Sequence, residues 1–251
     1  MTPDGPSVRA EPGIDRLLLK LRARDIVNEE EEMVLRGSVA AVREVPAGRT
    51  IVRSGMTVSE STLLFEGLVC RYRDLADGQR QIMELHVPGD FLDLHSFLLK
   101  RLDHNIGAMT PVRYATVPHE KLRRITEEHP HLTRMLWFST LLDAAIHRER
   151  ILSVGRRSAI SRVAHLFCEM FVRLEVAGLV CGATYRLPIT QSDLADATGL
   201  TSVHVNRMLK KLRDDELMTF RGGDVVIHDW DRLQRVAEFD AAYLYLERRP
   251  H

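Results

Sequence analysis

The sequence predicts an α+β chain: a β-rich roll, then one long helix, then a winged helix-turn-helix. Three observations carry this. From about Arg49 to Val117, short apolar segments are broken by Gly and Pro. Beyond Pro118 the apolar residues recur at helical spacing. From Leu187 to His228, two short helical patterns flank Gly199, and two strand-like segments then flank Gly222-Gly223.

In the first region the segments Thr50 to Arg53, Leu63 to Arg73, Arg80 to Val87 and Val112 to Val117 read as strands. In Gln81 to Val87, Met83, Leu85 and Val87 alternate with Ile82, Glu84 and His86, which predicts that the first set faces the core. Asp77-Gly78 supplies the preceding hairpin turn. Gly48, Gly55, Gly67, Gly78 and Gly89 punctuate the region at a spacing that suits a sandwich or roll better than alternating βαβ units.

The long helix follows. Leu132, Met135, Leu136, Ser139, Leu142 and Ile146 trace one of its faces. That face serves equally well as a self-associating seam or as packing against the chain's own roll. Gly155 interrupts the pattern and is the hinge candidate; a further helix restarts after Ser158, with Val163, Ala164, Phe167, Met170 and Leu174 inward.

Leu187 to His228 is the most informative stretch. Thr190 can cap a helix whose third position is Asp193, close to a capping box. That helix ends at Gly199, and Thr201 caps the next after a tight turn, which is helix-turn-helix spacing. In the second helix, 202–213, Val205, Met208, Leu209 and Leu212 form the inner face. Val203, Asn206, Arg207 and Lys210 then form the outer face, flanked by Ser202, His204 and Lys211. Such a stripe suits a major groove, because Arg can bind guanine bidentately and Asn can bind adenine. Met218 to Ile227 reads as a wing whose Arg221 can reach a phosphate.

Composition narrows the alternatives. The 251 residues suffice for two cores. Lys and Arg total 35, and so do Asp and Glu, so a uniformly basic, non-specific nucleic-acid binder is excluded and any such surface must be local. Met1 to Arg9 lacks a charged n-region followed by an apolar run, and no stretch nears the roughly 18 apolar residues of a membrane span, so a soluble cytoplasmic protein is expected. Cys70, Cys168 and Cys181 are expected to be buried structural thiols, since their number and spacing suit neither a disulfide framework nor a metal cluster.

The arrangement resembles the Crp/Fnr family of bacterial transcription regulators, from about Leu18 to Val236. The segments that carry it are Gly67-Leu68-Val69 and Pro88-Gly89-Asp90-Phe91, then Ile189 to Ala195, Gly199-Leu200-Thr201 and Asn206-Arg207-Met208-Leu209. The resemblance implies an N-terminal arm (1–17), a jelly-roll cyclic-nucleotide-binding-like sensor (18–125), a dimerisation helix and hinge (126–155), a DNA-binding domain (156–240) and a C-terminal tail (241–251). It further implies a homodimer on a pseudo-palindromic operator in double-stranded DNA, and RNA polymerase as a partner. Thr190, Thr201, Ser202, Val203, His204, Asn206, Arg207, Lys210, Lys211 and Arg221 are the DNA-binding residues expected.

Departures from the family pattern are equally informative. Where members often carry Glu-x-x-Ser-Arg, this chain has Val203, Asn206 and Arg207. Val203 replaces an acceptor for the cytosine amino group with a surface for a thymine methyl. Members that hold cyclic nucleotides place a Glu soon after Gly-Asp-Phe; here Leu92-Asp93-Leu94-His95 follows, with Arg101 near the phosphate-binding position. Cyclic AMP is therefore not the expected effector. The N-terminal cysteine cluster of the iron-sulfur members is missing, and His86, His95, His104, His119, His129 and His131 have no ligand spacing, so neither a metal nor another cofactor is expected. No nucleophile elbow or phosphate-binding glycine loop argues for an enzyme. The alternative kept open is a ligand sensor that acts through a protein partner.

Overall fold

A computed structural model describes residues 12–248. Helices α1 (Pro12–Arg22) and α2 (Glu29–Ser38) lead into the strands β1 (Ala41–Val45), β2 (Thr50–Val52), β3 (Glu60–Glu66), β4 (Val69–Asp74), β5 (Arg80–His86), β6 (Asn105–Ala108) and β7 (Val112–Pro118), with the short α3 (Ser96–Leu99) before β6. Helices α4 (His119–Glu128), α5 (Pro130–Arg156) and α6 (Ala159–Val176) follow. The chain then forms β8 (Val180–Cys181), β9 (Thr184–Arg186), α7 (Gln191–Thr198), α8 (Ser202–Asp214), β10 (Met218–Arg221), β11 (Asp224–Ile227), α9 (Trp230–Ala237) and a 3-10 turn, Ala241–Leu244.

Two antiparallel sheets, β1-β7-β3 and β2-β6-β4-β5, face each other across Val52, Leu64, Val69, Leu92, Ile106 and Val112. This is the roll expected. The segment Leu63 to Arg73 divides in two at Gly67, whose φ is 91° and where a Cβ would sit 2.4 Å from the carbonyl oxygen of Pro111, leaving no room for a side chain. Strands β1 and β6 and helices α1 and α2 were not anticipated. Residues 1–11 of the expected arm lie outside the described residues, while Ile14 and Leu17 are buried on α1.

The facing of β5 differs from the alternation read in the sequence. The ladder with β4 slips by one residue: Arg71 pairs with Glu84 and Tyr72 with Ile82, so Met83 is the extra residue of a bulge. Ile82 and Leu85 consequently share the face of Cys70 and Tyr72, which packs against the C-terminal half of the chain. Glu84 and His86 turn inward with Arg71, and all three are buried.

These inward groups lie among partners of opposite charge. Arg71 meets Glu84 at 2.9 Å and Asp143 of α5 at 2.8 Å, and it donates to the carbonyl of Leu92. Arg173 of α6 reaches Asp90 at 3.0 Å and Glu169 at 3.4 Å, and Glu169 also pairs with Arg150 of α5. Burial opposes ionisation of Glu84, but the charges of His86, Arg71 and Arg173 and a hydrogen bond from His147 outweigh it and hold its carboxyl well below the usual range. Roll, long helix and α6 are thereby tied by one buried ionic network.

Helix α5 runs through Gly155 without a break. The chain turns only at Arg157, which is extended, and Ser158 then caps α6 by accepting from the Ser161 N–H. A glycine keeps its backbone hydrogen bonds in a helix, so it lowers propensity without ending the element. The face traced by Leu132, Met135, Leu136 and Ile146 is buried within the chain. On the opposite side, Trp137, Leu141, Ile151 and Leu152 are 64%, 54%, 73% and 48% exposed. Cys70 and Cys168 are buried, but Cys181 is exposed because β8 is a two-residue edge strand. Among the described residues, no helix is long and apolar enough to cross a membrane.

Candidate nucleic-acid interface

Local chemistry sets the two helices of the turn. The Thr190 hydroxyl accepts from the Asp193 N–H, while the Asp193 carboxylate accepts from the Thr190 N–H, a complete capping box. Burial opposes the charge of Asp193, but the hydrogen bonds from Thr190 and Arg80 keep its carboxyl below the usual range. Gly199 closes α7 in the left-handed region at φ 64°, where glycine carries no steric penalty. Thr201 then opens α8 by accepting from the His204 N–H.

Val205 and Leu212 are buried, and Met208 and Leu209 pack against the same core. The opposite stripe is open to solvent: Val203 is 72% exposed, and Asn206, Arg207 and Lys210 are exposed beside Ser202 and Lys211, with His204 half-buried. Thr190, Thr201 and Arg221 are exposed as well. Among the described residues, the side chains of Arg207, Lys210 and Arg221 make no hydrogen bond or ion pair, whereas Lys211 is 3.3 Å from Asp215. Behind the turn, β10 and β11 form a hairpin through Gly222-Gly223, and β9 and β8 extend it into a four-stranded sheet. Arg221 ends β10 at that hairpin.

One positioning residue escaped the sequence reading. Arg80, at the start of β5, reaches Asp193 at 2.6 Å and Asp196 at 2.8 Å, both on α7. Gln81 adds a hydrogen bond to the Asp196 carbonyl. The first helix of the turn is therefore clamped to the β4–β5 hairpin, and Cys70, Ile82 and Leu85 share a continuous core with Val163, Phe167, Leu194 and Val205. No sequence signal marks such a pair, because its members lie more than a hundred positions apart.

Residues 42–129 match the Cyclic nucleotide-binding domain, and residues 161–236 match the Crp-like helix-turn-helix domain. The nitrogen fixation regulation protein FixK of Bradyrhizobium diazoefficiens is 30% identical over 196 residues, covering 76% of this chain and 79% of that protein. The transcriptional activatory protein AadR of Rhodopseudomonas palustris is 33% identical over 186 residues, 71% of each. The chain belongs to the Crp/Fnr family of transcription regulators. Among solved structures, FixK2 from Bradyrhizobium japonicum matches with a TM-score of 0.73 at 26% identity, over 81% of this chain and all (100%) of that one.

Within this Crp/Fnr chain, Leu92-Asp93-Leu94-His95 follows Gly89-Asp90-Phe91, with no glutamate among them. Asp93 is buried, and its carboxylate already accepts from the Thr62 N–H. Burial raises that carboxyl to about 7. Leu94 is buried and apolar, and Arg101 is exposed, bridged to Thr57 at the rim. The histidines are dispersed in role: His86, His104 and His119 are buried, and His131 bridges Asp25 and Glu31. Among the described residues, no group of three or more His, Cys, Asp or Glu is placed to hold a metal ion.

Proposed function

We propose that this Crp/Fnr regulator works in the cytoplasm as a homodimer that reads a pseudo-palindromic operator, with α8 of each protomer in a major groove. The observation that carries this is the uncommitted stripe Val203, Asn206, Arg207 and Lys210: three polar side chains aimed at solvent from a helix whose other face is locked into the core. In this reading Arg207 takes a guanine edge and Asn206 an adenine, and half-sites lie about 34 Å apart. Lys210, Lys211, Arg221 and the first turns capped by Thr190 and Thr201 meet phosphates, with Ser202 and His204 beside them. Lys211 must first leave Asp215, an exposed pairing worth under about 1 kcal/mol.

The exposed stripe Trp137, Leu141, Ile151 and Leu152 supplies the dimer seam, at a spacing that keeps all four on one side of α5. Relatives named as activators support recruitment of RNA polymerase as the output. The effector is not cyclic AMP, since the ribose position offers no free carboxylate. Selection of a preferred duplex from a random pool tests the reading. Recovery of a palindrome bound by a dimer, with affinity that falls steeply as salt rises, is expected; failure to enrich any sequence would count against it.

A further inference from the structure

A cavity of about 700 Å³ lies outside the roll, between α1, the Gly89-Asp90-Phe91 turn, α5 and the segment 240–247. That volume falls in the range typical of small-molecule sites, roughly 300–1,000 Å³. None of the residues that fill the roll's interior lines it. Leu17, Leu21, Met135, Phe138 and Leu142 form an apolar wall.

The acids on its lining are already engaged. Asp90 pairs with Lys20 and Arg173, Asp143 with Arg71, and Asp25 with His131. Asp240 accepts from the Ala242 N–H, and Glu247 likewise has an interaction. Arg24 stands apart. Its Nη1 and Nη2 donate only to the carbonyls of Lys20 and Leu244, at 3.2 and 3.0 Å, and its guanidinium lies 5.3 Å from the Phe138 ring centroid. Its Nε is buried with no hydrogen-bond partner, and no carboxylate among the described residues pairs with it. Burial opposes its charge most strongly, the Asp90 carboxylate offsets part of that, and Arg173 adds to the opposition. A half-buried cation with no carboxylate in direct contact is poorly compensated, and an anion entering the cavity would relieve that.

We propose that this cavity binds a small amphipathic carboxylate, its charged head on Arg24 and its apolar body against Leu17, Met135, Phe138 and Leu142. Occupancy would tie α1 and α5 to the segment that follows α9, and so link the roll to the DNA-binding part. That consequence rests on the function proposed above; the binding itself does not.

Isothermal titration calorimetry of the full chain with decanoate tests this directly, with 1-decanol as the uncharged control and circular dichroism melts confirming that each variant folds. Saturable binding at one site is expected, at least tenfold weaker for 1-decanol and for Arg24→Gln, and abolished by Ser139→Trp, which fills the cavity from α5 and leaves the guanidinium in place. No saturable binding of decanoate by the wild-type chain would overturn the proposal. So would equal affinity for the alcohol, or undiminished binding by folded Ser139→Trp. If Arg24→Gln does not fold, the alcohol comparison and Ser139→Trp decide.

Discussion

Arg71 and Glu84 meet at 2.9 Å on neighbouring strands, with side chains only 2% and 0% exposed. The bulge at Met83 brings them together, and Asp143 and His147 of α5 complete their surroundings. Breaking such a pair from one side leaves a buried charge uncompensated. Glu84→Gln is therefore expected to lower the unfolding free energy by about 3–5 kcal/mol in urea titrations. A loss below about 1 kcal/mol would show that Asp143 alone satisfies Arg71.

Asp93 makes stability depend on pH in a definite direction. Its carboxyl titrates at about 7 in the fold, raised by burial, against about 3.9 in an unfolded chain. Between those values the folded chain keeps a proton that the unfolded chain has released, so stability falls as pH rises from about 4 to about 7. Asp93→Asn keeps an oxygen for the Thr62 N–H and removes the charge. It is expected to stabilise the protein on the order of 2 kcal/mol at pH 8, the gain vanishing near pH 4. Thermal melts at both pH values check this; an equal effect at the two would contradict it.

The DNA-binding half was legible because its signals are local. Thr190 with Asp193, Gly199, Thr201 and the spacing of Val205 to Leu212 each act within a few residues, and each has its structural counterpart. The roll was less so. Strands β3 and β4, which belong to different sheets, are separated by only Gly67-Leu68, and β6 is four residues long. Asn28 and Glu31 form a capping box that was as readable as that of Thr190 but went unread. The inward turn of Glu84 and His86 had no local signal, since charges are buried only where partners from other elements await them, here from α5 and α6. For α5 the sequence pattern described the face that packs inside, and the exposed stripe emerged only once that face was covered.

That stripe carries a separate expectation. Leu141→Glu places a charge at its centre without touching the buried face of α5. Sedimentation should show a monomer where the wild-type chain is a dimer, together with weakened operator binding. A dimer of undiminished strength would place the seam elsewhere.

Val203 is expected to set the operator's departure from the usual family half-site. Val203→Glu restores an acceptor at the outer face of α8 and should shift the selected base pair there toward one that presents a cytosine amino group. An unchanged selected sequence would mean that Val203 does not face a base.

The most direct test of base reading by α8 compares Arg207→Ala with Lys210→Ala on the selected duplex and on a scrambled one, at two salt concentrations. Arg207→Ala should cost about 1–3 kcal/mol on the selected duplex, relax discrimination at one base pair, and change binding to the scramble little. Lys210→Ala should weaken both duplexes alike and reduce the salt slope by about one. If Arg207→Ala weakened both duplexes equally, Arg207 would be a phosphate contact and the proposed reading of the operator would be wrong.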